Sequence, residues 1–205
     1  MKATTMRDIV FLDTDTQFDF MLPSGALYVP GAEKLIPNLK QLTVVARERG
    51  VPVIASVDAH FENDPEFGPW APHCVQGAPG QEKIPETRWD DTIVIPNRLQ
   101  SVKLRPGAMI VLEKRIYSVF DNVNTDLVFG KLGAREIAVY GVATEYSVKA
   151  AVMGLLERSH TVCVVADAVK GITPEGERQA LDEMVAAGAK LTTTDEVIAS
   201  LGDSR

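Results

Sequence analysis

The sequence predicts an α/β protein in which a parallel sheet is covered by helices on both faces, a three-layer α/β/α arrangement. Two observations predict it. Short apolar runs rich in β-branched residues alternate with stretches of helical periodicity, and the strand-like runs are apolar at almost every position. A strand without a polar face is typical of a parallel sheet buried on both sides. The 205 residues suffice for a full core, and we expect one domain over residues 1–205.

The elements follow one another in a regular order. Five runs are predicted to be strands: residues 8–13, 51–58, 108–114, 136–142 and 160–167. Four stretches are predicted to be helices: residues 32–50, 124–133, 144–159 and 174–189. The first helix is amphipathic and ends at Gly50, and one of its faces carries Leu35, Leu39, Leu42 and Ala46. The proline-rich stretch 61–105 interrupts the alternation, so we expect a long loop there, and such loops are usually functional.

Composition excludes several classes of partner. The net charge is −7 and no basic run occurs, which argues against nucleic acid and anionic membranes as partners. No apolar run reaches the roughly 18–20 residues of a membrane span, and the N-terminus lacks the apolar centre of a signal peptide. We therefore expect a cytoplasmic protein. Cys74 and Cys163 show no disulfide or metal spacing, and Cys163 in "TVCVVA" is predicted to be a buried core thiol.

Polar and titratable residues follow four of the predicted strands. The carboxyl ends of parallel strands meet at one edge of a sheet, where ligands bind near the point at which the strand order reverses. The sequence therefore predicts a functional site at this edge. Its candidate members are Asp13, Asp15 and Asp19 after the first strand, Asp58 and His60 after the second, Lys114 at the end of the third, and Ser147 after the fourth.

Ser147 has two interpretations. It lies in the first turn of the predicted helix 144–159, which Thr144 could cap, and serines are common there for structural reasons. The first-turn N–H groups and the positive end of the helix dipole also stabilise an anion, so a nucleophile at this place would be activated. A cysteine would profit most, because its thiolate is accessible near neutral pH.

The stretch "DAHFENDPEFGPWAPHC" (58–74) and Lys114 leave similar alternatives open. Asp58 and His60 are spaced i, i+2 and would leave an extended strand on one face. With His73 and one carboxylate of the loop they could bind Zn²⁺, Mn²⁺ or Fe²⁺, or the loop could be merely polar, with its histidines bonded to backbone. Lys114 could be an ion-paired structural group, or could hold a nucleophile and a base in register.

Five motifs in order resemble the isochorismatase-like hydrolases, which include nicotinamidases, N-carbamoylsarcosine amidases and ureidoacrylate hydrolases. The resemblance covers about residues 8–190 and implies a parallel six-stranded sheet flanked by helices. As a set the motifs are specific, although each alone is weak. They are "DTQFDF" (15–20), "DAH" (58–60), "PHC" (72–74), "LEK" (112–114) and "GVATEYS" (141–147).

The resemblance implies a catalytic triad of aspartate, lysine and cysteine. The aspartate corresponds to Asp15 and the lysine to Lys114, whereas Ser147 stands where the family has its cysteine. The family has a cis peptide bond before the nucleophile's turn, here between Val142 and Ala143. The backbone amides of Ala143 and Ser147 would form the oxyanion hole.

The resemblance also implies a metal and a substrate pocket. The metal, zinc before manganese or iron, would be bound by Asp58, His60 and His73. A further ligand falls by spacing on Glu66, with Glu62 and Asp64 as alternatives. Aromatic residues would line the pocket for the substrate: Phe20, Trp70 and Tyr146.

The implied function is hydrolysis of a small amide, with nicotinamide giving nicotinate and ammonia as the first candidate. The alternatives are a metal-free hydrolase of another small amide, ureide or vinyl ether, and a non-catalytic protein that binds a small ligand. Because an alcohol has a far higher pKa than a thiol, we expect a chain with Ser147 to be nearly inactive. An engineered substitution that traps a ligand and a natural loss of the nucleophile would both explain the serine, and the intact remaining motifs favour the former. Family members commonly form dimers or tetramers, so a homo-oligomer is expected.

Overall fold

The central sheet is parallel throughout. The computed structural model describes residues 9–202, so the ends of the expected domain, residues 1–8 and 203–205, lie outside the described residues. Within 9–202, seven strands form one sheet: β1 (Ile9–Thr14), β2 (Val53–Asp58), β3 (Thr92–Ile95), β4 (Met109–Lys114), β5 (Glu136–Val142), β6 (Thr161–Lys170) and β7 (Lys190–Thr192). Their order across the sheet is β3-β4-β2-β1-β5-β6-β7, and every neighbouring pair is parallel.

Helices cover both faces of this sheet, as predicted. The α-helices of the described chain are α1 (Phe18–Met21), α2 (Ile36–Arg49), α3 (Thr125–Leu132), α4 (Lys149–Glu157), α5 (Pro174–Ala186) and α6 (Thr194–Ser200). Side chains of α1, α2 and α6 join the core on one face, and those of α3, α4 and α5 join the core on the other. The three-layer α/β/α architecture is therefore confirmed. No helix within residues 9–202 is long and apolar enough to cross a membrane.

The predicted first helix has the amphipathic face that its sequence indicates. It begins as a 3₁₀ turn, Ala32–Leu35, and continues as α2. All four predicted face residues are buried: Leu35, Leu39, Leu42 and Ala46. Gly50 ends the helix with a φ of 64°, and its N–H bonds back to the last turn. Glycine is favoured there because the left-handed conformation crowds a Cβ atom.

The sequence missed two strands, β3 and β7, so the sheet has seven strands where roughly six were expected. They have four and three residues and lie at the two edges of the sheet. They are short, and an edge strand is partly exposed, so neither gives the long buried apolar run that marked the central strands. β3 lies inside the stretch 61–105, whose remainder is loop with three short 3₁₀ turns, as expected.

Strands β1 and β5 approach closely at their carboxyl ends. Gly141 has a φ of 116°, and a Cβ atom placed there would lie 1.9 Å from the carbonyl oxygen of Thr14. A side chain would therefore force the two strand ends apart. The peptide bond between Val142 and Ala143, just after Gly141, is cis. This segment leads directly into the turn that carries Ser147.

Candidate active site

The predicted site residues meet at the carboxyl edge of four adjacent strands. Asp15 follows β1, Asp58 ends β2, Lys114 ends β4, and Ser147 lies in the turn after β5. Since β4, β2, β1 and β5 are neighbours in the sheet, parallel pairing alone brings these side chains together. β1 has β2 on one side and β5 on the other: the chain first adds strands on the β2 side and later on the β5 side. The site therefore lies where the strand order reverses.

Lys114 is the centre of the site. Its side chain is 1% exposed, and its Nζ lies 2.8 Å from Asp15 Oδ2 and 3.5 Å from Ser147 Oγ. It also forms a close ion pair with Asp58. Burial by itself would lower the pKa of Lys114, but the two carboxylates outweigh it and raise that pKa above its ordinary value. Lys114 is therefore a charged ammonium and cannot serve as a base.

The two carboxylates that share this ammonium have opposite pKa shifts. Burial raises the pKa of Asp15, and the charge of Lys114 opposes that shift only in part. Burial also disfavours ionisation of Asp58, but the charge of Lys114 and the neighbouring imidazoles of His60 and His73 outweigh it and lower that pKa well below its usual range. A pair of carboxyls whose pKa values are driven apart is typical of sites that divide acid–base and charge-holding roles. Of the two carboxyls, Asp15 is therefore the one that is more easily protonated.

Backbone and hydroxyl contacts hold Asp15. Its φ is +52°, a left-handed conformation that is uncommon for a residue with a side chain. The hydroxyl of Ser56 on β2 donates a hydrogen bond of 2.7 Å to Asp15 Oδ1. Neighbouring Asp13 has a different role, because it forms a buried ion pair with Lys83 at 2.8 Å and does not line the cavity. Nothing local in the sequence predicts that pair, whose members are 70 residues apart.

Ser147 lies in a π-helical turn, where a regular helix start was predicted. The turn covers Thr144–Val148, and α4 follows it directly. The expected capping role of Thr144 is wrong: Ala143 holds the cap position, and the buried Thr144 hydroxyl has no hydrogen-bond partner. Ser147 is 5% exposed, and with Ala143 it lines the same cavity as Asp15. π-helical turns occur frequently at functional sites.

A cluster of imidazoles and carboxylates lies beside Asp15, Lys114 and Ser147, and its members Asp58 and His73 line the same cavity as Asp15 and Ser147. Asp58 Oδ2 is 3.7 Å from His60 Nε2 and 3.7 Å from His73 Nε2. His73 Nδ1 lies 2.8 Å from the carbonyl oxygen of Ala71. A carbonyl can only accept, so Nδ1 donates, and the neutral ring keeps its lone pair on Nε2, which faces Asp58. This is the arrangement in which a histidine binds a metal.

Loop carboxylates complete this cluster. Asp64 Oδ2 is 3.4 Å from His60 Nδ1, and Glu66 lines the cavity. Four buried polar atoms here have no hydrogen-bond partner within residues 9–202: both ring nitrogens of His60, Asp64 Oδ2 and Glu66 Oε2. Burial and the charge of Asp58 raise the pKa of Glu66. Unpartnered nitrogen and carboxylate donors at this separation match the ligand chemistry of a divalent cation.

The three alternatives for the further ligand differ in where the structure places them. Glu62 is exposed and lies outside both groups of donor atoms found in the described chain. Asp64 uses one oxygen to accept the N–H of Glu66 at 3.1 Å and thereby caps a 3₁₀ turn. Glu66 is the one of the three that shares the cavity lining with Asp58 and His73.

Aromatic side chains form the walls of the cavity, whose empty volume is about 410 Å³. Phe20, Trp70 and Tyr146 all line it. The rings of Trp70 and Tyr146 meet edge to face at 5.4 Å. Sequence reasoning missed Tyr117, which also lines the cavity and accepts a hydrogen bond of 2.9 Å from Trp70 Nε1. The sequence feature that could have indicated Tyr117 is an aromatic residue three positions after Lys114, but the loop around it has no periodicity.

Comparison with known proteins gives a consistent family. The Isochorismatase domain profile matches residues 10–196. A nicotinamidase of Escherichia coli is 32% identical over 203 residues, covering 87% of this chain and 92% of that protein. A probable inactive nicotinamidase of Arabidopsis thaliana is 24% identical, with 95% and 96% covered.

A solved structure agrees with this assignment. The crystal structure of a pyrazinamidase of Pyrococcus horikoshii in complex with zinc has a TM-score of 0.76 and 32% identity, and the match covers 91% of this chain and 99% of that one. The fold, the site at the sheet edge and both sequence matches support the same family assignment. The chain belongs to the isochorismatase family of hydrolases and within it resembles the nicotinamidases.

Proposed function

We propose that the chain has the site of a metal-dependent amidohydrolase of the nicotinamidase type, with nicotinamide as substrate and nicotinate and ammonia as products. One observation carries the proposal: the buried Lys114 ammonium contacts Asp15 and Ser147, and these two residues line a cavity whose wall also contains Asp58, Glu66 and His73. The 32% identity to a nicotinamidase supports the choice of substrate. The aromatic walls suit a flat heteroaromatic ring.

The geometry supports the following proposed roles. Asp15 takes the proton of the nucleophile at position 147, which attacks the amide carbon, and gives this proton to the nitrogen that leaves as ammonia when the C–N bond breaks. Water then hydrolyses the acyl-enzyme and releases nicotinate. Lys114 holds Asp15 and the nucleophile in register as a fixed positive charge. The backbone amides of Ala143 and Ser147 would stabilise the oxyanion of the tetrahedral intermediate. Phe20, Trp70 and Tyr146 would hold the ring of the substrate.

The histidine and carboxylate cluster is the proposed metal site. Asp58, His60 and His73 would bind the ion, with Glu66 as the further ligand. Their donor set fits Zn²⁺ best, and Mn²⁺ or Fe²⁺ next. When bound, the ion supplies a Lewis acid that can hold the pyridine nitrogen of nicotinamide.

Ser147 limits the proposed reaction. A serine hydroxyl has a far higher pKa than a thiol, whose ordinary pKa is about 8.5. Each pKa unit corresponds to about 1.4 kcal/mol, or roughly tenfold in rate, so several units remove several orders of magnitude. We therefore propose that the chain with Ser147 turns over nicotinamide very slowly, in a site built for cysteine.

The test compares the chain with its Ser147→Cys variant in the presence of Zn²⁺, measuring ammonia released from nicotinamide. We expect the cysteine variant to be faster by at least roughly 10²-fold. Asp15→Asn in the same background keeps the shape of the side chain, lacks the base, and should abolish the gain. A Ser147→Cys protein that hydrolyses neither nicotinamide nor other small amides would contradict the proposal. Hydrolysis unaffected by chelation of the metal would favour the metal-free alternative.

Ser147 itself favours a second candidate, a protein that binds a small amide without turnover. The similarity to a protein named as inactive supports it. Calorimetric titration with nicotinamide distinguishes the two, because a binding protein gives a binding isotherm while its Ser147→Cys variant releases no ammonia. The proposed homo-oligomer, a dimer or tetramer, is tested by sedimentation of the purified protein.

A further inference from the structure

The side chain of Gln17 is a buried clamp on Asp58. Its Oε1 accepts the backbone N–H of Asp58 at 2.7 Å, and its Nε2 donates to the carbonyl oxygen of the same residue at 2.8 Å. The same Nε2 donates to the carbonyl oxygen of Gln81 at 2.8 Å. Gln17 is 0% exposed. Both backbone groups of Asp58 are therefore fixed by one side chain at the end of β2.

Asp19 clamps the segment that carries His73. Its Oδ2 accepts the backbone N–H of Cys74 at 2.7 Å, and its Oδ1 accepts the N–H of Ala26 at 3.0 Å. Cys74 has a φ of +44°, which is uncommon for a residue with a side chain. The bond from Asp19 holds this unusual backbone directly after His73.

Neighbouring residues reinforce the second clamp. The ring of Phe20 packs on the ring of His73, with centroids 5.3 Å apart. Gly80 leaves room for the Asp19 carboxylate, because a Cβ atom there would lie 2.1 Å from Asp19 Oδ2. The short stretch 15–20 thus supplies a base in Asp15 and reaches two of the proposed metal ligands.

We propose that Gln17 and Asp19 are positioning residues of the metal site, Gln17 for Asp58 and Asp19 for His73. The inference rests on the proposed function. Neither Gln17 nor Asp19 is among the described residues that line the cavity, so each would act through the metal ligand that it holds. Groups that orient metal ligands typically change metal affinity by about 10–100-fold when removed.

The experiment measures the Kd of the apoprotein for Zn²⁺ by competition with a chromophoric chelator. Gln17→Met and Asp19→Ala remove the two clamps, and both should raise the Kd by about 10–100-fold. The visible spectrum of the Co²⁺-loaded proteins should also change, because it reports ligand geometry. Urea unfolding of each apoprotein records stability separately.

Two controls remove equivalent clamps elsewhere. Asn122 has the same pattern as Gln17: its Nδ2 donates to the carbonyl oxygens of Ile95 and Glu113 at 2.8 and 2.9 Å, and its Oδ1 accepts the N–H of Asn124 at 3.0 Å. Asn122→Leu is the control for Gln17→Met. Asp167 accepts the N–H of Thr194 at 2.8 Å, and Asp167→Ala is the control for Asp19→Ala. Both controls should keep the Zn²⁺ affinity and the Co²⁺ spectrum of the wild type.

Each outcome decides the proposal. If Gln17→Met and Asp19→Ala bind Zn²⁺ with wild-type affinity, the inference is overturned while the proposed metal site stands. If the control variants lose as much Zn²⁺ affinity as Gln17→Met and Asp19→Ala, the inference is likewise overturned. A wild-type chain that binds no Zn²⁺ overturns the proposed metal site together with this inference. If Asp19→Ala does not fold, Gly80→Ala keeps Asp19 and displaces its carboxylate, so it should weaken Zn²⁺ binding as well; unchanged binding would contradict the role of Asp19.

Discussion

At the scale of residues, Lys114 compensates two buried carboxylates at once. Asp15 and Asp58 are 1% and 5% exposed, so without a cation they would place two negative charges in a poorly solvated site. Their pKa shifts are opposite because Asp58 has two imidazoles beside it in addition to Lys114, whereas Asp15 has the negative charge of Asp58 beside it. The ammonium therefore contributes to folding and to the proposed chemistry through the same contacts.

Lys114→Met should destabilise the apoprotein by about 3–5 kcal/mol at neutral pH, because breaking a buried ion pair leaves uncompensated charge. The free energy of unfolding in urea measures it. Lys149→Met is the matched control: its ion pair with Glu183 is 2.8 Å long but exposed, and such pairs contribute only about 0–1 kcal/mol. Similar losses in both variants would contradict the central position of Lys114.

The raised pKa of Asp15 predicts the acid limb of the pH profile of Ser147→Cys. As a base Asp15 must be ionised, and a raised pKa means that it takes up its proton at a higher pH than an ordinary aspartate. Activity should therefore fall as the pH decreases through a midpoint clearly above the ordinary value of about 3.9. Initial rates on nicotinamide at saturating Zn²⁺ measure it, with metal content determined at each pH. An acid limb at or below the ordinary value would contradict the assignment.

At the scale of elements, the carboxyl ends of β1 and β5 determine the shape of the site. Gly141→Ala would place a methyl group against the Thr14 carbonyl and strain a left-handed backbone, at a cost of at least about 2 kcal/mol. Gly130→Ala is the control, since apart from the neighbouring residues and backbone of α3 no atom of the described chain lies within 4 Å of its Cβ position. That helical substitution should stabilise the chain by about 0.5–1 kcal/mol. Urea unfolding should show a lower free energy of unfolding for Gly141→Ala and a higher one for Gly130→Ala.

Three elements contribute the aromatic rim of the cavity: the loop after β2 through Trp70, the loop after β4 through Tyr117, and the π-helical turn through Tyr146. Tyr117→Phe removes the hydrogen bond with Trp70 and keeps the ring. We expect a loss of about 0.5–1.5 kcal/mol, seen as a several-fold higher KM for nicotinamide in the Ser147→Cys background. A kcat that falls while KM stays constant would assign Tyr117 to the chemical step instead.

At the scale of the whole molecule, the proposed metal site connects β2 to the loop that follows it. Zn²⁺ at about 100 times its Kd should raise the free energy of unfolding by about 2.7 kcal/mol, because the ligands converge only in the folded chain. Urea unfolding with Zn²⁺ and with chelator measures the difference. His73→Ala should abolish it, whereas a Zn²⁺ effect that persists in that variant would place the metal elsewhere.

The alternation of apolar runs and helical periodicity was enough to predict the layers and the central strands. The sequence did not predict the edge strands β3 and β7 because they have only four and three residues, and β3 lies inside a proline-rich stretch that was expected to be a loop. The stretch 61–105 has little periodicity, and its contacts are with residues distant along the chain. Lys83, for example, reaches Asp13, and Gln81 accepts from Gln17.

The sequence by itself determined which chemistry is available and at which edge of the sheet it lies, because parallel strands must present their carboxyl ends together. It identified Asp15, Lys114 and the serine at position 147 as residues of that edge. Only the tertiary structure decided which groups are in contact. It left Glu62 exposed and outside the donor groups of the described chain, added Tyr117 to the cavity, and paired one lysine with two carboxylates. Those outcomes depend on how a loop without periodicity packs against distant strands, which local sequence patterns do not specify.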